Sequence, residues 1–331
     1  MPSDRPAAGW RTPLPTRSLG DSHVKERPVR NWLYKADTQL SPYVYISPFF
    51  LLFAVFGLFP LGYTAWVSLH DWTLLSDEHP FTGLANYREL LADPYFWNAL
   101  RNTISILLLS TVPQLIFALI LAHLVNRRLR AKTLWRLGML LPNVTSVVAV
   151  VVIFSQLFGR DFGLINWLLD SFGLGRIDWQ AGVASSHVAI AAMITWRWTG
   201  YNALIFLAAM QAVPKELYES ATLDGATPGQ QLRKITIPSI RPTIIFVVIV
   251  STIYGLQVFA EPQLFAGGGP NGIMGGPDRQ FQTLTLYMYE HGFNRGFEFG
   301  YASATAWVMF GLIVLIAGAN YLITRRIRSS R

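Results

Sequence analysis

The chain has 331 residues, 52% hydrophobic and only 14% charged, against roughly 25% charged in ordinary soluble domains, which excludes a chain whose whole surface faces water. It contains no cysteine, ruling out disulfides, zinc–thiolate or iron–sulfur ligation and thiol catalysis. Lys and Arg number 27 against 19 Asp and Glu, and in so apolar a chain that excess marks loops facing the cytoplasm rather than a nucleic-acid surface.

Residues 1–42 are rich in Pro, Arg and Ser and have no apolar core, so they read as a basic, mostly disordered cytoplasmic tail. They are not a cleavable signal peptide: the first apolar run starts only near Tyr43, is too long and lacks a small-residue cleavage site. Six runs reach the length of ~20 residues that crosses ~30 Å of hydrocarbon: 43–69, 103–125, 137–158, 183–213, 242–260 and 302–324. Lipid offers the backbone no hydrogen-bond partners, so these runs must be helices. The expected fold is an all-α integral membrane protein with six transmembrane helices.

Charge sets the topology. Seven Lys/Arg fall in 1–42, five in 126–136, four in 214–241 and four in 325–331, whereas 70–102, 159–182 and 261–301 hold two each. Both termini are therefore predicted in the cytoplasm, with 326–331 a short basic tail and Arg127, Arg128 and Arg130 serving as topology anchors. All 19 acidic residues fall outside the six runs. Ion-coupled carriers keep carboxylates at membrane depth, and so do membrane-embedded glycosyltransferases. The acidic census disfavours both, although ion coupling through backbone carbonyls stays open. There is no HExxH, no GxSxG and no cluster of metal ligands.

Residues 214–242 read PKELYESATLDGATPGQQLRKITIPSIRP. Pro214 suits a first helical turn, Leu217 and Ala221 share a face, and Gly225 suits a helix stop. Thr227, Pro228 and Gln230 spell a capping box with Pro at the first helical position, and Pro238 and Pro242 punctuate the return to the membrane. The residues predict two short helices meeting at an angle, suited either to docking on another protein or to lying on lipid headgroups.

This loop resembles the signature loop of ABC-transporter import permeases, which runs Glu-Ala-Ala, three residues, Gly, nine residues, Ile, one residue, an aliphatic residue and Pro. Here it stands as Glu219-Ser220-Ala221, Gly225, Ile235, Ile237, Pro238, and Asp224-Gly225-Ala226 is also similar. Ser220 and Ile237 depart from the commoner Ala and Leu. Residues 81–87 (FTGLANY), Asp93-Pro94 and 98–103 (NALRNT) resemble the first outer loop of carbohydrate permeases. Gly267–Pro270, Gly275–Pro277, Gln282–Leu284 and Phe299–Ala304 resemble the segments around the last span in the same subfamily. The likeness covers most of 43–325 and is to maltose-transporter-type permeases, nearest to those for β-linked disaccharides such as cellobiose.

The resemblance implies a type I importer in which an extracytoplasmic solute-binding protein delivers sugar to two permeases, expected to differ, that sit on two ATPase subunits. The chain has no phosphate loop and no Gly-Lys pair, so it is expected to be a transport subunit with no cofactor of its own, ATP and Mg being used by the partner ATPase. Glu219 would offer charge to the ATPase, Ala221 would permit close approach, Asp224 would fix the turn and Gly225 would set the angle between the helices. Ile235 and Pro238 would seat the second helix on the bundle.

For a sugar path, polar and aromatic groups inside the runs are the candidates, being costly in lipid unless they face a cavity or another helix. The densest cluster is Trp196–Asn202, with Arg197, Trp198, Tyr201 and Asn202. Run five adds Ser251, Tyr254 and Gln257, with Glu261 and Gln263 just beyond. Arg197 requires water, a sugar or an acidic partner, for which Glu261 is the candidate. Interhelical hydrogen bonding is the plainer reading for Asn202, Tyr254 and Gln257. His123 and His187 read as packed, Pro48, Pro60 and Pro113 as kinks, and Gly311 and Gly318 as easing helix packing. Asn143-Val144-Thr145 matches a glycosylation pattern but lies inside run three and is set aside.

Overall fold

The computed structural model describes residues 31–126, 132–265 and 273–329; Arg127, Arg128, Arg130 and the Gly267–Pro270 motif lie outside them. The chain divides into two compact units, residues 1–60 and 61–331.

In the first unit, helix α1 (Asn31–Phe53) begins well ahead of Tyr43 and runs into a π-helical segment, Ala54–Leu58. The backbone N–H of Phe59 reaches Ala54 O, one residue further back than in an α-helix. The cause is Pro60, which has no N–H for the carbonyl of Phe56. The apolar side chains here are exposed, among them Tyr45, Phe49 and Phe56, as befits a surface for lipid or protein rather than water.

In the second unit, α2 (Phe59–Val67) ends in a turn, and α3 (Ala85–Ala92) leads into the 33-residue α4 (Pro94–Asn126). The carboxylate of Asp93 accepts the Tyr95 N–H at 2.8 Å, so Asp93-Pro94 starts α4 as an N-cap and Pro pair. The buried face of α4 carries small and polar groups at helical spacing: Ala99, Thr103, Ser110, Gln114, Ala118 and Ala122. Small residues let backbones approach closely in a membrane, and this face packs along α8 (Val183–Gln211), which offers Ala189, Ala191 and Ala203 in return. Gly200 of α8 marks the tightest point, where a Cβ would stand 1.8 Å from Met139 O in α5 (Lys132–Val144).

Three predicted runs take a different form. Run 137–158 is two helices, α5 and α6 (Val147–Leu157), bent by 89°. Pro142 leaves the last turn of α5 short of a donor, and Ser146 turns extended. Run 242–260 is α12 (Arg241–Leu256), which stops at Gln257 before the separate α13 (Ala260–Phe265). Run 183–213 is the continuous α8, yet Ser185, Ser186, His187, Arg197 and Asn202 make it too polar to count as a span by hydropathy. Among the described residues three helices are long and apolar enough to cross a membrane, Gln39–Val67, Pro94–Asn126 and Phe299–Leu322. There are up to five if each bent pair is one span.

The remaining elements are a short helix α7 (Leu164–Ser171), two helices α9 (Lys215–Leu223) and α10 (Pro228–Gln231), one turn α11 (Ile237–Ser239), α14 (Leu284–Tyr289) and the terminal α15 (Phe299–Ser329). No strand occurs among the described residues beyond two isolated bridges, His70 with Phe81 and Thr73 with Glu298. Within this chain a Cβ on Gly311 or Gly318, the glycines expected to ease packing in α15, would meet nothing within 4 Å.

Candidate functional site

A cavity of about 550 Å³ opens between α4, α5, α8 and α12–α13. Its wall contains Arg197, Trp198, Tyr201, Asn202, Ser251, Tyr254, Gln257 and Glu261 of the residues that the polar content of the runs singled out, and not Trp196 or Gln263. Tyr254 and Gln257, one turn apart, both reach it because α12 ends there: the Gln257 N–H bonds back to Tyr254 O at 3.1 Å, and the chain then turns into α13. Asn202 donates to Ser251 Oγ at 3.3 Å, tying α8 to α12. The rings of Trp198 and Tyr254 lie 5.3 Å apart at 30°, and Tyr201 meets Trp198 edge-on at 5.9 Å. Amides, hydroxyls and aromatic faces thus share one wall, the mixture that suits a polyhydroxylated ligand with C–H faces.

The acidic partner of Arg197 is Glu261. Arg197 Nη1 donates to Glu261 Oε1 at 2.5 Å, with side-chain exposures of 15% and 7%. Arg197 Nε is buried with no hydrogen-bond partner. Taking either charge from water alone would be costly, and each makes the other tolerable.

Three wall residues were missed in the sequence: Thr111 and Gln114 on α4, and Asn143 at the end of α5. The first two are single polar residues in a long apolar run. Asn143 was noticed only as part of a glycosylation pattern, although Pro142-Asn143 also marks the place where α5 breaks. Trp196 turns the other way and packs on Phe154 at 5.6 Å. His187 is buried as expected, bonded to Ser105 Oγ and Gln280 O, both at 2.9 Å.

The motifs at 93–103 and 275–304 form a buried brace. Asn98 and Asn102 both donate to Arg279 O, at 2.9 and 3.0 Å. Arg279 pairs with the fully buried Glu290 at 2.7 Å, and Gln282 donates to Glu290 at 2.6 Å. Tyr287 donates to Asp93 and contacts the Tyr301 hydroxyl at 2.6 Å. Burial and the Asp93 carboxylate hold the Tyr287 hydroxyl far above the usual tyrosine range.

At the other end the 214–242 loop forms the two helices expected. Pro214 lies just outside the first helical turn, as the N-cap of α9, where its fixed φ still suits the start. Asp224 caps the far end, its N–H bonding Ser220 O at 3.0 Å. Gly225 follows with φ +76°, and the Gly225 and Ala226 N–H groups return to Thr222 O and Ala221 O at 3.0 and 2.8 Å. This is a Schellman stop, which requires the left-handed conformation at Gly225. The Thr227–Gln230 capping box is present in full.

From Pro228 the chain stays helical through a π segment, Leu232–Thr236, to Ser239, since Pro238 offers no N–H to Lys234. It then bends by 70° into α12. Tyr218 and Thr236 hydroxyls meet at 2.9 Å and Gln231 donates to Thr222 at 3.0 Å, bracing one helix on the other. Ile235 packs into the core around Met210, Val213 and Ile240, and Pro238 is half-buried. Glu219, Ser220 and Asp224 are exposed, as are the apolar Leu217 and Leu223, the latter 90%.

Known proteins with this arrangement are transport components. The family described as the inner membrane component of binding-protein-dependent transport systems matches residues 96–329. The arabinooligosaccharides transport system permease protein of Halalkalibacterium halodurans is 33% identical over 285 residues, 86% of this chain and 87% of that protein. The lactose transport system permease protein of Rhizobium radiobacter is 33% identical over 286 residues, 86% of this chain and 93% of that protein. A chain of a bacterial alginate ABC transporter, crystallised with a pentasaccharide-bound periplasmic protein, shares the fold with a TM-score of 0.73. It is 22% identical, covering 89% of this chain and 98% of that one.

Proposed function

The chain belongs to the family of inner-membrane components of binding-protein-dependent transport systems, a multi-pass membrane transport subunit and not an enzyme, and on that premise we propose that its 550 Å³ cavity is part of the path by which an ATP-driven importer moves a di- or oligosaccharide. One observation carries the proposal: Arg197, Trp198, Tyr201, Asn202, Ser251, Tyr254 and Gln257, costly in lipid, gather with Glu261 on the wall of a single cavity. A β-linked disaccharide such as cellobiose is the first sugar to try, and the relatives named for arabinooligosaccharides and lactose support an oligosaccharide of that size.

In the working arrangement six spans cross the membrane, α8 being the polar one, and both termini face the cytoplasm. A second permease, different in sequence, completes the passage, and an extracytoplasmic solute-binding protein delivers the sugar. Helix α9 enters a cleft on one of two ATPase subunits, with Leu217 and Leu223 covered there, Glu219 meeting the ATPase surface and Ala221 allowing close approach. ATP and Mg act only in those subunits. Closure of the ATPase pair moves α9, and the braced second helix passes the motion through Ile235 and Pro238 into α12, whose outer end carries Tyr254 and Gln257.

The test is co-purification with the candidate ATPases, second permease and binding protein, followed by a disaccharide screen for stimulated ATP hydrolysis. At least one sugar should stimulate, and ATPase loss should abolish uptake. Uptake that persists without the ATPase would return the chain to the ion-coupled carriers.

A further inference from the structure

Among the described residues on the cavity wall, Arg197 and Glu261 alone carry charge at neutral pH. They are bonded to each other at 2.5 Å. The guanidinium directs Nη1 to Glu261, and its Nε is buried away from any acceptor. The rest of the wall is uncharged: the amides Gln114, Asn143, Asn202 and Gln257, hydroxyls, and the Trp198–Tyr254 aromatic pair. The site therefore presents a matched ion pair and a neutral polar surface.

A neutral saccharide entering this space finds donors, acceptors and aromatic faces. A saccharide bearing a carboxylate brings a second anion next to Glu261, into a wall whose cation is already engaged. The newcomer loses its hydration without gaining a counter-ion. Resting on the sugar-path reading above, we infer that the Arg197–Glu261 pair makes the cavity selective for neutral saccharides over uronic acids, with Glu261 as the residue that sets the preference. Removing the Glu261 charge leaves Arg197 as an unpaired cation whose Nη1, freed from Glu261, is available to a carboxylate.

The test uses this chain in its complete complex with the second permease and the ATPases, reconstituted in nanodiscs without the binding protein, so that only the membrane site selects. Two probe pairs differ by carboxylates alone: cellobiose with cellobiouronic acid, and galactobiose with digalacturonic acid. Binding is measured by calorimetry for each. In the unaltered complex the neutral member should bind at least about tenfold tighter, the minimum expected of an unrelieved like-charge contact. Glu261→Gln should shift the ratio toward the acid by about tenfold or more. The double variant Arg197→Gln with Glu261→Gln, again neutral, should lose that gain, which assigns it to the freed guanidinium. Should the single variant fail to fold, Arg197→Gln alone leaves Glu261 unpaired and should move the ratio about tenfold further toward the neutral member, an unchanged ratio there overturning the inference.

Equal affinity for both members in the unaltered complex, or an acid preference there, overturns the inference. So does a folded Glu261→Gln complex with an unchanged ratio. Binding of no member of either pair is a different result: it removes the sugar-path reading and takes this inference with it.

Discussion

Gly225 offers a test in which conformation and contact separate. Its φ of +76° lies where L-residues are strained, yet a Cβ placed there would touch nothing within 4 Å in this chain. A substitution therefore carries no internal clash, only the left-handed penalty of about 1–2 kcal/mol, and Asn carries the smallest share of it. That penalty lowers the population of the Schellman stop about 5–30-fold relative to alternatives. The outcome expected for coupled uptake is Gly, then Asn, then Ala, then Val. The assay is the ratio of sugar transported to ATP hydrolysed in proteoliposomes, with expression and membrane insertion as controls that should not change. Asn is larger than Ala but tolerates positive φ better, so the order of those two decides. If Ala couples better than Asn, bulk against the ATPase sets the outcome and the turn does not. If Val couples as well as Gly, the angle at this turn has no part in coupling.

Further outcomes follow from the same geometry. Gly200→Ala places a Cβ 1.8 Å from Met139 O, so α8 must move off α5; a loss of about 1–3 kcal/mol is expected, read as a lower Tm in detergent. Arg279→Met leaves the fully buried Glu290 without its cation and should cost about 3–5 kcal/mol; an unchanged Tm would mean the pair contributes nothing to the buried brace. Tyr287 stays protonated in the folded chain well beyond about pH 10, where an unfolded tyrosine ionises. Raising the pH through that value therefore makes the unfolded state give up a proton the folded state keeps, and stability falls. Tyr287→Phe should be less stable at pH 8 and show a shallower alkaline decline, measured by thermal unfolding against pH. Trp198→Ala and Tyr254→Ala, which remove the paired rings at 5.3 Å, should each weaken sugar-stimulated ATP hydrolysis about tenfold or more while leaving sugar-independent hydrolysis in place.

The apolar runs were legible because hydrocarbon leaves the backbone no alternative to helix, and the cavity wall was legible because the same hydrocarbon penalises Arg197, Asn202 and Gln257 unless something receives them. Breaks were harder to see. Hydropathy passes smoothly over Thr145 and Ser146, and only Pro142, three residues earlier, hints at the bend. Leu256 and Gln257 themselves are not breakers, and only Gly255 stands beside the point where α12 ends. The α4 contribution was invisible for a further reason: Thr111 and Gln114 each look like an interhelical hydrogen bond until the cavity beside them is seen. Arg279 and Glu290, eleven residues apart across a loop and a helix, have no periodicity to connect them. In the 214–242 loop, by contrast, the caps and stop are local chemistry, and Thr227, Gln230 and Gly225 specify them without tertiary help.

The Tyr218–Thr236 and Gln231–Thr222 bonds tie the two inner helices across the inside of their elbow, which turns a hinge into a gusset. A hinge would absorb part of any displacement as a change of angle, whereas a gusset hands it on whole. That stiffness fixes the arm's length as well as its angle: residues inserted between Asp224 and Thr227 would part the two ties and give the elbow back its hinge.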